Sequence, residues 1–267
     1  MPNAIETRAL RKVYAAPRDK RKKRGGASPG DEPRAPAGDV VALESLDLDV
    51  HEGELFGMIG PNGAGKTTTI GILTTRVRPT SGTATVAGAD VRANAVEVRR
   101  RIGVVPQRPN PDRSLNAIEN LVFHAAYFGI PRKQATRRAL ELLEKMEIGS
   151  KAEAKVDEMS GGQQQRLMIA RALIHEPQII FLDEPTGGLD PHARQSLWRI
   201  LRDLRAEGRT IVMTTHYMEE ADQLSDRIAL VDRGRLLALD TPANLKARTP
   251  DGSLDTFFMS IAGRGLD

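Results

Sequence analysis

Apolar residues along this 267-residue chain follow two alternating rhythms. Runs in which consecutive positions are apolar, LFGMI (55–59), IGVV (102–105), IIFL (179–182), TIVMT (210–214) and RIALV (227–231), predict strands buried on both faces of a largely parallel sheet. Patterns near the 3.6-residue period predict helices over 66–76, 116–128, 132–147, 162–175, 191–206 and 217–224. The helix over 191–206 is the most sharply bounded. Asp190 can cap it, Pro191 suits its first position, Leu197, Ile200, Leu201 and Leu204 share one face, and Gly208 follows its end. Trp198 falls at the edge of that stripe and reads as packing rather than a ligand contact. Upstream, residues 1–14 predict an edge strand, and ALESLDLDV (42–50) alternates up to a turn at His51-Glu52-Gly53. Residues 15–39 carry Pro, Gly, Ala and charge without periodicity, which predicts a flexible insert. Strand signals vanish between Gln107 and Lys155, so 109–158 reads as a helical lobe inserted into an α/β core. The expected organisation is one domain over 1–245 and a C-terminal extension over 246–267 that contains a short helix.

Composition narrows the classes. Hydrophobic residues make up 40% and charged residues 28%, as in a soluble globular protein, and no run of about 18 apolar residues could span a bilayer. No cysteine is present, which removes disulfides, thiolate metal sites and cysteine nucleophiles. Aromatics are only 4%, too few for the stacking surfaces of single-strand binders. The net charge of +4 is local: Arg18 to Arg24 (RDKRKKR) holds six basic residues against one acidic, so the rest of the chain is slightly acidic. No nucleic-acid partner is therefore expected. The basic run could instead meet anionic lipid headgroups, or be a solvated loop.

Three motifs carry chemistry. Gly60, Pro61, Asn62, Gly63, Ala64, Gly65, Lys66, Thr67 and Thr68 (GPNGAGKTT) follow a buried strand and open a helix, the context a phosphate-binding loop requires. Its glycines let successive backbone N–H groups turn toward phosphate oxygens, and the helix adds its positive dipole end. Lys66 is expected on the β- and γ-phosphates and Thr67 on Mg²⁺. IIFLDE (179–184) ends a buried strand in two carboxylates. Asp183 is suited to hold Mg²⁺ and Glu184 to polarise an attacking water. The third motif is MSGGQQQR (159–166), in which Ser160 and Gln163 form an S-x-x-Q capping box around Gly161 and Gly162. A second free helix N-terminus in a nucleotide hydrolase is a second anion site.

In this order, with 94 residues from Lys66 to Ser160 and 23 from Ser160 to Asp183, the chain resembles the ATP-binding cassette (ABC) ATPases over residues 4–245. The resemblance implies a P-loop NTPase fold with a mixed, mostly parallel sheet, an N-terminal antiparallel part and the helical lobe. It also implies roles at matching positions. Gln107 resembles the Q-loop glutamine that contacts Mg²⁺ or water. Asp190 lies in a D-loop-like GGLD, where Gly187 replaces the more usual serine. His216 resembles the switch histidine at the γ-phosphate, and Tyr14 the aromatic residue that stacks on adenine. Two such cassettes pair head to tail, each ATP lying between the phosphate loop of one and the Ser-Gly-Gly-Gln of the other. The implied partners are a second cassette and integral-membrane permease subunits, at the cytoplasmic face of the membrane. GPNGAGKTTTI, LTTRVRPTSGTATVAG and TTHYMEEAD are similar to the exporter branch that moves drugs, lipids or polysaccharides. An importer subunit remains an alternative. A soluble translation or repair ATPase fits less well, since these carry tandem cassettes or a coiled coil that 94 residues cannot contain.

Overall fold

The computed structural model describes residues 2–15 and 38–262. Most of the insert expected over 15–39, including its basic run, lies outside the described residues. A ten-stranded mixed sheet forms the centre, in the order β5-β4-β1-β2-β10-β9-β3-β8-β7-β6. Strands β3 (Leu55–Ile59), β6 (Ile102–Val105), β7 (Ile179–Asp183), β8 (Thr210–Thr215) and β9 (Arg227–Asp232) are the five that the apolar runs predict. β9, β3, β8, β7 and β6 lie side by side and parallel. Their side chains divide by parity. Phe56, Met58, Phe181 and Val212 face one core, with Ile70, Ile72 and Leu73 of helix α1 (Lys66–Leu73). Leu55, Ile180, Leu182, Ile211 and Met213 face the other, with helices α5 (Gly161–Leu173) and α6 (Pro191–Ala206). Burial on both faces is why these strands read as continuous apolar runs instead of alternating ones.

The N-terminal part is antiparallel. β1 (Asn3–Tyr14) pairs with β2 (Val40–His51) on one side and β4 (Ser81–Val86) on the other, and β4 pairs with β5 (Ala89–Asp90). The edge-strand expectation for residues 1–14 is thus corrected: β1 is interior, and the edge falls on β5. The segment that covers β1 is SGTATV, whose small Thr and Ala side chains give too weak an apolar pattern to read as a strand. β10 (Arg235–Asp240) turns back antiparallel on β9 and touches β2, joining the two halves of the sheet.

Helix α2 (Ala95–Arg101) precedes β6, and helices α3 (Ala117–Ala126) and α4 (Arg132–Lys145) occupy the region where strand signals vanish. Asn116 and Glu119 form a full capping box at the start of α3. α4 buries only Ala135, Ala139 and Leu143, a narrow stripe against the same core as α5 and α6. Helices α7 (Met218–Leu224), α8 (Pro242–Lys246) and α9 (Leu254–Ala262) complete the chain, with Leu254 and Phe257 packed on Ile59, Ile228 and Leu230. No helix among the described residues is long and apolar enough to cross a membrane.

Candidate functional site

The C-terminal tips of β3, β8 and β7 lie in register, with Ile59 opposite Thr215 and Asp183 opposite Thr214. Loops leaving these tips therefore meet, as ligand loops do at the carboxyl end of α/β sheets. The loop after β3 holds Gly60 to Gly65. A Cβ on Gly60 would stand 2.0 Å from the Val231 carbonyl oxygen, so no other residue fits without moving β9. Gly65 adopts φ +104°, and a Cβ there would meet the Ala42 carbonyl oxygen at 2.7 Å. Ala64 is buried and accepts from Gly234 N–H at 2.9 Å, whereas Pro61, Asn62 and Gly63 are exposed. The loop is thus fixed at both ends and open at its crest.

Lys66 begins α1 and is only 5% exposed. Its Nζ donates to the carbonyls of Gly60 at 2.6 Å and Pro61 at 3.1 Å, curling under the loop. Burial pushes its pKa down, while the charges of Glu184 and Asp183 oppose that shift. Thr67 is exposed and Thr68 half-buried in the first turn.

The carboxylates are held differently from each other. Asp183 ends β7, buried, and its Oδ1 accepts from the Thr214 hydroxyl at 2.6 Å. Glu184 has left-handed backbone (φ +49°), which directs the chain away from the strand. Its N–H donates to both the hydroxyl and the carbonyl of Thr214, at 3.1 Å each. Its Oε2 accepts from Gln107 Nε2 at 2.9 Å and lies 3.4 Å from Nδ1 of His216. Gln107 comes from the loop after β6 and His216 from the loop after β8, so three strand ends contribute to one cluster.

Ser160 caps α5: its hydroxyl accepts from Gln163 N–H at 3.3 Å, and Gln163 Oε1 accepts from Ser160 N–H at 2.9 Å. Gly161 has open space where a side chain would stand, and at Gly162 a Cβ would lie 3.1 Å from that of Ala193. The α5 N-terminus therefore sits against the first turn of α6, which Asp190 caps by accepting from Ala193 N–H at 2.9 Å. Among the described residues, no hydrogen bond joins Ser160–Gln163 to Lys66, Asp183, Glu184 or His216. Tyr14 ends β1 opposite Val40, two residues from the Ala42 that abuts Gly65. It is 41% exposed, and Lys12 Nζ lies 4.8 Å from its ring centre.

Two features escaped the sequence reading. Thr214 fixes both carboxylate residues, yet it is one of several Thr at the end of an apolar run and carries no motif. Arg171 of α5 donates to the carbonyl of Asn110 at 3.2 Å and its side-chain Oδ1 at 2.7 Å, tying α5 to the loop that begins at Gln107. Only the spatial nearness of β6 and α5 brings those residues together.

A glycine-rich loop between a buried strand and a helix, with strand-end carboxylates two strands away, defines a P-loop nucleotide hydrolase. The ABC transporter family description matches residues 43–187. The Nod factor export ATP-binding protein I of Cupriavidus metallidurans is 45% identical over 208 residues, which are 78% of this chain and 69% of that protein. Among solved structures, a dimeric ATP-binding cassette in a post-hydrolysis state with ADP and Pi is similar at TM-score 0.74 and 28% identity, over 89% of this chain and 98% of its own. An ATP binding subunit of an ABC transporter is similar at TM-score 0.77 and 26% identity, over 97% of this chain and 99% of its own. The chain belongs to the ABC transporter family and is one of its ATP-binding, ATP-hydrolysing cassettes.

Proposed function

We propose that this cassette powers export through separate membrane permease subunits, working as a head-to-tail pair at the cytoplasmic face of the membrane. The exporter name of its 45%-identical relative supports the direction, and the dimeric cassette similar in fold supports the pair. Residues 1–245 act as one ATP-binding domain with 109–158 as its helical subdomain, and 246–267 extend it. The helical lobe and the Gln107 loop offer the surface for the permease: Phe123 and Tyr127 of the α3 region are 57% and 75% exposed there, an uncommon exposure for large aromatic rings.

The observation that carries the catalytic reading is the Glu184 carboxylate, held between Gln107 and His216 at the tips of adjacent strands. In this reading Gly60–Thr68 wrap the phosphates of ATP. Lys66 exchanges its bonds to the Gly60 and Pro61 carbonyls for β- and γ-phosphate oxygens. Glu184 orients and deprotonates the attacking water, His216 contacts the γ-phosphate, and Tyr14 stacks on adenine. Thr67, Gln107 and Asp183 supply hydroxyl, amide and carboxylate oxygens, the hard donors that suit Mg²⁺. Among the described residues no group of three His, Cys, Asp or Glu could hold a metal alone, which fits an ion that shares its shell with phosphates. When bound, Mg²⁺ neutralises charge on the β- and γ-oxygens. Ser160, Gly161, Gly162 and Gln163 present the α5 N-terminus, and Asp190 the adjoining loop, to the ATP of the second cassette.

Glu184→Gln tests the assignment. It removes the base but keeps an oxygen for the Gln107 bond. Phosphate release is expected to fall by about 10²-fold or more, ATP still to bind, and the chain to elute as a dimer with ATP. Turnover at the normal rate would remove Glu184 from its role.

A further inference from the structure

His216 is one of three groups at the Glu184 carboxylate, yet it is half-exposed on a loop, and no hydrogen bond among the described residues fixes its ring apart from its approach to Glu184. A second contact comes from the next residue. The Tyr217 ring lies against the imidazole with centroids 4.0 Å apart and planes at 39°. The Arg194 guanidinium of α6 lies 4.9 Å from the Tyr217 ring centre, a cation–π distance. Arg194 Nε is buried with no hydrogen-bond partner, so the ring face is what the guanidinium is given in this seam. One turn further along both helices the contact repeats: Trp198 Nε1 donates to Oε1 of the fully buried Glu220 at 3.0 Å. Residues 194 and 198 on α6 thus match 217 and 220 at the start of α7, a two-point clamp with helical spacing on both sides. The clamp begins one turn after Asp190, the cap of α6.

We propose that Tyr217 is a positioning residue for His216, held by Arg194, so that the placement of α6 sets the placement of the histidine at Glu184. The inference rests on the catalytic reading of His216 given above. The Tyr217 ring packs against the imidazole and limits the orientations it can take. Arg194 stops the ring from swinging toward solvent. Since Arg194 shares its helix with Asp190, a shift of the loop that meets a second cassette moves the histidine in concert.

ATP turnover by the full-length chain provides the test, with the emission of Trp198, its single tryptophan, as a monitor of the α6–α7 seam. Tyr217→Ala is expected to lower kcat about tenfold with KM for ATP within about twofold, while tryptophan emission stays at the wild-type wavelength. Tyr217→Phe, which keeps the ring, restores kcat. Arg194→Ala lowers kcat, and lowers it no further in the Tyr217→Ala background. Full kcat in Tyr217→Ala, equal loss in Tyr217→Phe, additive losses, or a red-shifted emission that accompanies the loss would each overturn the proposal. His216→Ala separates the two levels. If it turns over normally, the catalytic reading of His216 fails. If it is inactive while Tyr217→Ala is unaffected, the positioning role alone fails.

Discussion

At the scale of single residues, the site depends on groups that no motif marks. Thr214 is fully buried, donates to Asp183 and accepts from Glu184 N–H, so one hydroxyl orients both acidic positions. Thr214→Val keeps the volume but leaves a buried carboxylate oxygen short of a donor. The expected cost is about 1.5–3 kcal/mol, read as a fall of several degrees in Tm, with Thr214→Ser restoring it. An unchanged Tm in Thr214→Val would mean that Asp183 finds another partner. The motif residues themselves were legible in the sequence because their chemistry demands fixed types at fixed spacing: glycine where β9 presses on the loop at Gly60, and a carboxylate where the apolar run of β7 stops. Thr214 was not, because a hydroxyl at the end of a buried strand is compatible with many arrangements, and its partners come from a neighbouring strand 31 residues away.

At the scale of elements, the six helices and seven strands read from the sequence are present, and the differences are informative. The C-terminal ends of α1, α3, α4 and α5 fall two or three residues short of the apolar pattern, whereas α6 and α7 end where it does; α1, for example, ends at Leu73 rather than 76. Thr75 there takes φ +63°, and Val77 N–H bonds back to the Gly71 carbonyl, closing the helix before its pattern runs out. β4, β5 and β10 went unread because their partners, not their own side chains, make them strands. The junction of α3 and α5 shows what packing adds. His175, just beyond α5, stacks on Phe128 with centroids 3.7 Å apart, donates from Nε2 to the Ile102 carbonyl at 2.9 Å, and neighbours His124 of α3. Burial first, then the nearby charges of Arg171 and His175, push His124 from the usual 6.5 down to about 4, and burial also lowers His175. A histidine whose folded pKa lies below its unfolded one costs nothing above the unfolded value. Between pH 6.5 and about 4 the unfolded chain takes up protons that the folded chain refuses, so stability falls. The urea midpoint is therefore expected to drop from pH 7 to pH 5, and to drop less in His124→Phe. An equal drop in the variant would place the acid sensitivity elsewhere.

At the scale of the whole molecule, no hydrogen bond among the described residues joins the phosphate-loop cluster to the Ser160 N-terminus, as a head-to-tail pair would need. A mixed pair tests it. With Ser160→Arg in one cassette and Lys66→Ala in the other, one composite site is expected to carry both lesions and the other none, so about half the activity per pair should survive. Placing both substitutions in one cassette should instead damage both sites. Equal activity in the two mixed pairs would break the head-to-tail reading. The order of motifs along the chain leads to the expectation of such a pair; which faces would meet is not written there, since that depends on how α5 and α6 pack at Gly162 and Ala193. One strand has a role at this scale that its sequence does not advertise. β8 lies between β3 and β7, and neighbouring strands stand about 4.8 Å apart, so it holds the lysine loop and the carboxylates roughly 10 Å from each other. The sheet acts as a caliper with coarse steps. Loops can adjust that gap by fractions of a strand width, but removing the middle strand would close it by a whole step and drive Lys66 onto Asp183 as a permanent ion pair, leaving no room for a phosphate chain between them.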